Sequence, residues 1–500
     1  MKRSGFIKFI IVALAVFAMI FAVNCGAAPD FSIGSPGGGY YPNYPGSGDE
    51  WEGFSEGNFL SVSENPRSTF SLERSGTSYA YIRRQLIDAD RRVMLQPASI
   101  KVEEIINYFD YDYAAPEEGE ALALSYGVSD CPWNGNHKLM TVGVKTADFD
   151  LGETGKNIVF LLDVSGSMAS SDKLGLIQTA FTSVLSELNP TDVVSIVVYA
   201  GEDRVLCEGV PGSEKMLLEG YMTDLTAGGS TNGSGGISRA FEIASRYKIE
   251  GGVNKVIMAT DGDFNVGFSS TEELSLFVKE YTDSGIDFTV LGVGMGNYKN
   301  TTIETVAQNA GGNYGYLDSL AEANRLLIEN FGGTFKTVAK DAKALVEFSG
   351  AVEKYRLIGY ENKLISYEDF SNPSYNSGDI GSGLEVTAVY ELKLRDTSVK
   401  LADFTVNYKN ALKTDLPDET RCVEIDGEGN ISANDRNFIA CAAEFGLLLR
   451  ESNFMGDATY DAVLARLEAL PEEYMDEYKT QFISVVKKAK QYASLVKRNY

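Results

Sequence analysis

The strongest constraint on this chain is one strand that has to be buried on both faces and that ends in a carboxylate. Residues 156–168 read KNIVFLLDVSGSM. From Ile158 to Leu162 the run is apolar without a break, which suits the centre of a parallel sheet covered by helices on either side. The run stops at Asp163. Two hydroxyls follow at alternate positions, Ser165 and Ser167, with Gly166 between them. A carboxylate and two hydroxyls at i, i+2 and i+4 on a turn can offer their oxygens to one side. Ligands of that kind suit a small, hard cation.

Two further stretches fit the same reading. KVIMATDG, 255–262, is a second apolar strand that ends at Asp261. TAGGSTNGSGGI, 226–237, sets Thr231 in a Gly-rich loop just before a helix. From 155 to about 330, strand and helix patterns alternate. Strands are expected at 158–163, 193–199, 255–260, 288–293 and 313–317, with a short edge strand at 204–207. Helices are expected at 173–188, 214–223, 234–246, 271–284, 301–310 and 319–331. This alternation predicts an α/β fold, a doubly wound, Rossmann-like sheet. In such sheets ligands collect at the carboxyl ends of strands, where strand order reverses. If the strands ending in Asp163 and Asp261 are neighbours there, five oxygen-bearing residues meet.

The flanks read differently. SYAYIRRQLIDA and SIKVEEIINYF have helical spacing, the second with Ser99 as its cap. EALALSYGVSD and HKLMTVGVKT alternate as half-buried strands do. After the α/β region, ALVEFS, YRLIGYE, GLEVTAVYELKL and ADFTVNYK alternate in the same way. Neither set forms a stable sheet alone, so the two are expected to combine in one β-rich sandwich with the α/β domain inserted between them. From Asp435 the pattern is helical. The expected organisation is 1–25 leader, 26–57 Gly/Pro/Tyr-rich spacer, 58–154 flanking α+β region, 155–335 α/β domain, 336–425 β-rich region and 426–500 helical region.

Charge and histidine content exclude several functions. Lys and Arg number 44 against 70 Asp and Glu, a net charge of −26. No domain-scale basic surface is available for nucleic acid. The only histidine, His137, sits in NGNHKL and reads as a solvated turn residue; with no second one, a Ser-His-Asp triad has no further candidate base. Cys131, Cys207, Cys422 and Cys441 have no metal-binding spacing. At the start, Lys2, Arg3 and Lys8 precede an apolar run from Phe9 to Val23, the pattern of a signal peptide. AVNC, Ala22 to Cys25, resembles the bacterial lipobox, whose cysteine is lipidated. Asn24 and Ala22 depart from its usual residues. The expectation is export to the bacterial cell envelope and a lipid anchor at Cys25. The cations of the last helix read as a solvated face.

DVSGSM, GGSTN and TDG together, in that order and each after a strand or before a helix, resemble the metal-ion-dependent adhesion site of the von Willebrand factor type A domain. The resemblance implies that Ser165 and Ser167 bind Mg²⁺ directly, Thr231 directly or through water, and Asp163 and Asp261 mainly through water. Mn²⁺ and Ca²⁺ are the alternative ions. It also implies a protein partner whose Asp or Glu carboxylate completes the shell. The flanking stretches STFSLERSGTSYAYIRR, KVEEIINYFDYDY, VAKDAKALVEF and GDIGSGLEVTAVYEL resemble bacterial surface proteins labelled Ca-activated chloride channel homologues. A pore is not expected, since no span follows the leader. The function expected is therefore metal-dependent protein binding rather than catalysis. The rivals are an envelope assembly factor working with an ATPase system and a metal-assisted hydrolase. The second is disfavoured by the lack of a general base beside the site.

Overall fold

The computed structural model describes residues 40–41, 51–87, 95, 97–149, 152, 154–200, 202–229, 235–262, 271–294, 304, 307, 312–396, 400–411, 413 and 417–496. Of the residues expected to carry function, Cys25 and Thr231 lie outside this set. So does nearly all of the helix expected at 301–310, of which Glu304 and Ala307 are described as helical.

The N-terminal flank contributes β1 (Tyr40–Tyr41), β2 (Phe54–Ser55), β3 (Leu60–Ser61), β4 (Arg67–Ser71), α1 (Thr77–Ile87), α2 (Val102–Ile106), β5 (Leu122–Asp130) and β6 (Lys138–Thr146). The expected spacer ends before Gly57. Trp51, Phe54 and Glu56 are buried, and β1 pairs with β2. The physical reason is the Trp51 indole, which sits edge-on to Tyr81 of α1 at 4.9 Å and draws the chain into the core. Ser99 does not cap α2. The cap position is Lys101, with no side-chain cap bond; its ammonium is taken by Glu304 at 2.8 Å.

The α/β domain follows: β7 (Lys156–Asp163), α3 (Leu176–Ser186), β8 (Val193–Tyr199), β9 (Asp203–Pro211), α4 (Lys215–Thr223), α5 (Gly236–Arg246), β10 (Val253–Thr260), α6 (Thr271–Asp283), β11 (Asp287–Val293), β12 (Asn313–Leu317), α7 (Leu320–Asn324) and α8 (Phe331–Phe335). The sheet order is β12-β11-β10-β7-β8-β9. All neighbours run parallel except the edge strand β9. Every residue of β7 and of β10 is buried, as their uninterrupted apolar runs predict. Alternation then splits the side chains between two cores. Ile158, Phe160 and Leu162 face α3 and the start of the last helix. Val159 and Leu161 face α5 and α6, with Trp51 and Tyr81 of the flank in the same cluster. The last helix is not continuous: a π-helical stretch, Arg325–Glu329, separates α7 from α8.

The chain then adds β13 (Thr337–Phe348), β14 (Val352–Ile358), α9 (Tyr367–Ser371), β15 (Gly378–Gly381), β16 (Glu385–Leu394), β17 (Ala402–Asn410), β18 (Glu419–Ile425), α10 (Ala433–Arg450), α11 (Tyr460–Glu468) and α12 (Glu477–Val496). Strands from both sides of the α/β domain are interleaved. One sheet is β15-β13-β17-β18 with β4 also on β13; the other is β3-β14-β16-β6-β5. Their inner faces share one apolar cluster, including Phe70, Val142, Val346, Tyr390 and Phe404, so the expected sandwich with an insertion is the architecture found.

The C-terminal helices are not an appendage. Phe438 of α10 and Phe482 of α12 join Tyr79 of α1, Ile105 of α2 and Phe109 in one core. Their packing closes the flank around the first helices, and truncating such a ring side chain costs about 3–5 kcal/mol. In α12, Lys487 pairs with Glu468 at 2.8 Å and Lys490 pairs with Asp461. His137 is not the solvated turn residue expected. Its Nδ1 lies 2.6 Å from Glu391 Oε1 and its ring is 5.2 Å from Phe59. Glu391 also accepts from Trp133 and Arg356, and this shared carboxylate draws the turn onto the sheet. The four described cysteines are free thiols, three of them buried. Among the described residues no helix is long and apolar enough to cross a membrane.

Candidate metal centre

β7 pairs with β8 on one side and with β10 on the other. The chain leaves β7 toward β8 and later returns to β10, so the order reverses between β7 and β10. This is the crevice where a doubly wound sheet places its ligands. The register Leu162↔Ala259 sets Asp163 beside Thr260 at the carboxyl ends, with Asp261 one residue on. Asp163 is 0% exposed, Ser165 1% and Asp261 1%; Ser167 is exposed. The site therefore has a buried floor of carboxylates and a rim that opens outward.

The turn after β7 is tied by its own first residue. The Ser165 N–H donates to Asp163 Oδ1 at 2.9 Å, and the Thr260 hydroxyl donates to Asp163 Oδ2 at 3.1 Å. Both carboxylate oxygens thus have protein donors, which orients the group and leaves it lone pairs for a water. Burial is the larger of the effects that raise the Asp163 pKa above its usual range; Asp261 adds to it, and the bonds from Ser165 oppose it. The Ser165 and Ser167 hydroxyl oxygens converge to 2.9 Å. The Gly-rich loop is laid against this turn: Gly228 N–H donates to Val164 O at 2.8 Å, and Gly166 N–H donates to Gly229 O at 3.2 Å. That brings the segment leading to Thr231 to the metal turn.

The donor set fits a magnesium-sized ion. Six-coordinate Mg²⁺ with bonds of about 2.0–2.1 Å holds adjacent ligands about 2.8–3.0 Å apart. The two serine hydroxyls, hydrogen-bonded to each other at 2.9 Å, lie within that range. Among the described residues no group of three or more His, Cys, Asp or Glu side chains is disposed to hold a metal, so a site here depends on the hydroxyls. Ser165 and Ser167 would hold the ion, with Asp163 and Asp261 behind them.

Sequence reasoning missed two kinds of residue. Lys173, read as the first residue of a helix, instead lies in a π-helical stretch, Ser171–Gly175. Its Nζ donates to Asp261 Oδ2 at 2.9 Å and to Ser167 O at 3.0 Å. Nothing in a lone Lys six residues after Ser167 signals this. The other kind comes from the flank. Arg84 of α1 pairs with Asp172 and donates to the Tyr316 hydroxyl at 3.1 Å, which in turn donates to Gly294 O at 2.8 Å. Arg83, its neighbour, pairs with Asp318 at 2.6 Å and Glu322 at 2.8 Å. One turn of α1 therefore holds both the metal-loop side and the start of the last helix.

A doubly wound sheet carrying this turn at its switch point defines a von Willebrand factor type A domain, and residues 157–329 match that domain family. Residues 46–141 match a family described as von Willebrand factor. Residues 333–426 and 408–492 match a family described as uncharacterized protein YfbK, C-terminal. The chain belongs to the YfbK family: it is 32% identical to the uncharacterized protein YfbK of Escherichia coli K12 over 489 residues, 92% of this chain and 84% of that protein. Human inter-alpha-trypsin inhibitor heavy chain H3 is 26% identical over 207 residues, 40% of this chain and 21% of that protein. Among solved structures, von Willebrand factor type A from Catenulispora acidiphila is 14% identical, with a TM-score of 0.40 over 72% of this chain and 86% of that one.

Proposed function

We propose that this protein is a metal-dependent protein-binding module, an adhesion or scaffold component of the bacterial cell envelope. A partner's Asp or Glu carboxylate would complete a Mg²⁺ site held by Ser165, Ser167 and Thr231, with Asp163 and Asp261 acting through water. The observation that carries the reading is the pair of hydroxyls 2.9 Å apart above two buried carboxylates at the ends of neighbouring strands. Hydroxyl ligands leave more positive charge on the ion than carboxylates would, so it supplies an electrophilic position that attracts an anionic group. Binding rather than hydrolysis is favoured by the placement of the chain's one histidine, which lies in the flank against Glu391. Charge also favours a basic surface around the partner's carboxylate, given the net −26 of this chain.

Envelope localisation rests on the leader-like N-terminus and on Cys25. Labelling with a fatty-acid analogue should mark the wild type and spare Cys25→Ser; equal labelling would remove the anchor. The test of function is a pull-down from envelope extract with the full chain, with and without EDTA, beside Asp163→Ala. A partner held only by the metal-replete wild type is expected. A partner retained equally in all three conditions would take the metal out of the mechanism.

A further inference from the structure

A cation of the protein already bonds to a carboxylate of the proposed metal centre. Lys173 reaches back from the π-helical stretch Ser171–Gly175 to Asp261 Oδ2 at 2.9 Å and to the Ser167 carbonyl at 3.0 Å. It bonds to two of the segments that carry the site, the turn after β7 and the end of β10. Wide helical turns of this kind recur at functional sites because they redirect side chains. Here the redirection is visible in the neighbours: Asp172 goes to Arg84 of the flank, while Lys173 goes inward, with its side chain 10% exposed.

The lysine stem has a fitted slot. Gly294 follows β11 with φ +81°, and a Cβ there would meet Lys173 Cε at 2.3 Å and Cγ at 2.8 Å. Only glycine accepts both that backbone angle and that approach. The Gly294 carbonyl is held in turn by the Tyr316 hydroxyl at 2.8 Å. A long side chain fixed along its stem and bonded at its tip is a permanent part of the site, not a solvated helix residue that strays there.

We infer that Lys173 is a resident counter-charge of the metal centre, which weakens the hold on the divalent ion and strengthens selection for an anionic ligand. The inference rests on the metal reading given under Proposed function. Asp163 and Asp261 supply two negative charges and Lys173 removes one, so the divalent ion meets less attraction. Once it is bound, these charges sum to a net positive value, and an incoming carboxylate is drawn to both cations. Without the lysine the sum is neutral, and that preference fades. Because the ammonium also anchors Asp261, Lys173 is a positioning residue as well as a charge.

The test uses Lys173→Met in the full chain and two titrations. Mn²⁺ alone, followed by electron paramagnetic resonance, reads ion affinity. Acetate added to the Mn²⁺-loaded protein, followed by water-proton relaxation, reads carboxylate affinity. The variant should bind Mn²⁺ about tenfold tighter and acetate about tenfold weaker, and Lys173→Arg should restore both values toward the wild type. A purely structural lysine would weaken both together. Gly294→Ala, which fills the slot and leaves the lysine in the sequence, should shift the two affinities the same way as Lys173→Met and serves in its place if that variant does not fold. Changes of the same sign, or none, would overturn the inference while leaving the metal site standing. Failure of the wild type to bind Mn²⁺ would overturn the metal reading and this inference with it.

Discussion

Two clusters of buried acids in the α/β domain have been treated in opposite ways. At the last helix, Asp318 and Glu322 face Arg83, and Glu322 also faces Arg325 and the Tyr108 hydroxyl at 2.7 Å. Burial alone would raise the Glu322 pKa, but the guanidiniums beside it hold it below its usual range. That cluster is complete within the protein. At the metal centre, Asp163 has only neutral donors among its described hydrogen bonds, a backbone N–H and a hydroxyl. The difference separates structure from site: the first cluster neutralises its charges to lock two elements together, and the second leaves negative charge for something outside the chain.

The largest effect expected from breaking this contrast is at the complete cluster. Arg83→Met leaves two buried carboxylates short of a partner, and loss of about 3–5 kcal/mol is expected in urea unfolding. Asp163→Ala, measured in EDTA, should cost less, about 1–3 kcal/mol, because it leaves buried donors unpaired but breaks no buried ion pair. Equal losses would erase the distinction. Next, Mg²⁺ at about a hundred times its Kd should stabilise the wild type by about 2.7 kcal/mol and Asp163→Ala not at all, read as the shift in urea midpoint.

A smaller effect tests a third carboxylate, at the junction with the sandwich. Asp379 on β15 has its pKa raised to about 7, by burial first, against the pull of Lys340. Its Oδ1 accepts from the Asp341 N–H at 3.0 Å. The folded state holds this proton more tightly than the unfolded chain does. Its contribution is therefore full at low pH and is lost as pH rises toward 7. Asp379→Asn keeps the acceptor and removes the charge, so stability should fall less between pH 4 and 7, by about 1–2 kcal/mol after allowance for solvent screening. An unchanged pH profile would count against burial of the charged form. The smallest expected change is Tyr478→Phe, which deletes the exposed bond to Glu329 at 2.6 Å. It should cost about 0.5–1 kcal/mol in the same unfolding assay.

What could be read from the sequence follows the range of the physics involved. β7 and β10 were legible because an apolar run and a terminal Asp are local signals, while their adjacency, a condition in the sequence reading, is a matter of the sheet order. The sandwich was legible because incomplete strand sets on both sides had no other way to close. Lys173, Arg83 and Arg84 were not, because a cation on a helical stretch reads as solvated until its partner is known, and those partners lie 88 residues away for Lys173–Asp261 and for Arg84–Asp172, and 235 for Arg83–Asp318. Trp51 was hidden for a related reason: local composition said spacer, and only the distant Tyr81 ring makes that stretch part of a core. The break in the last helix at Arg325–Glu329 left no trace in an apolar pattern that continues through it.

The central claim is that the turn after β7 needs an ion, and calorimetric titration with Mg²⁺ tests it most directly. Wild-type full chain should bind one Mg²⁺ per molecule at this site, and Asp163→Ala, shown to be folded by cooperative unfolding in EDTA, should lose that binding. A wild type that takes up no Mg²⁺, or an Asp163→Ala chain that binds it as well, would contradict the account.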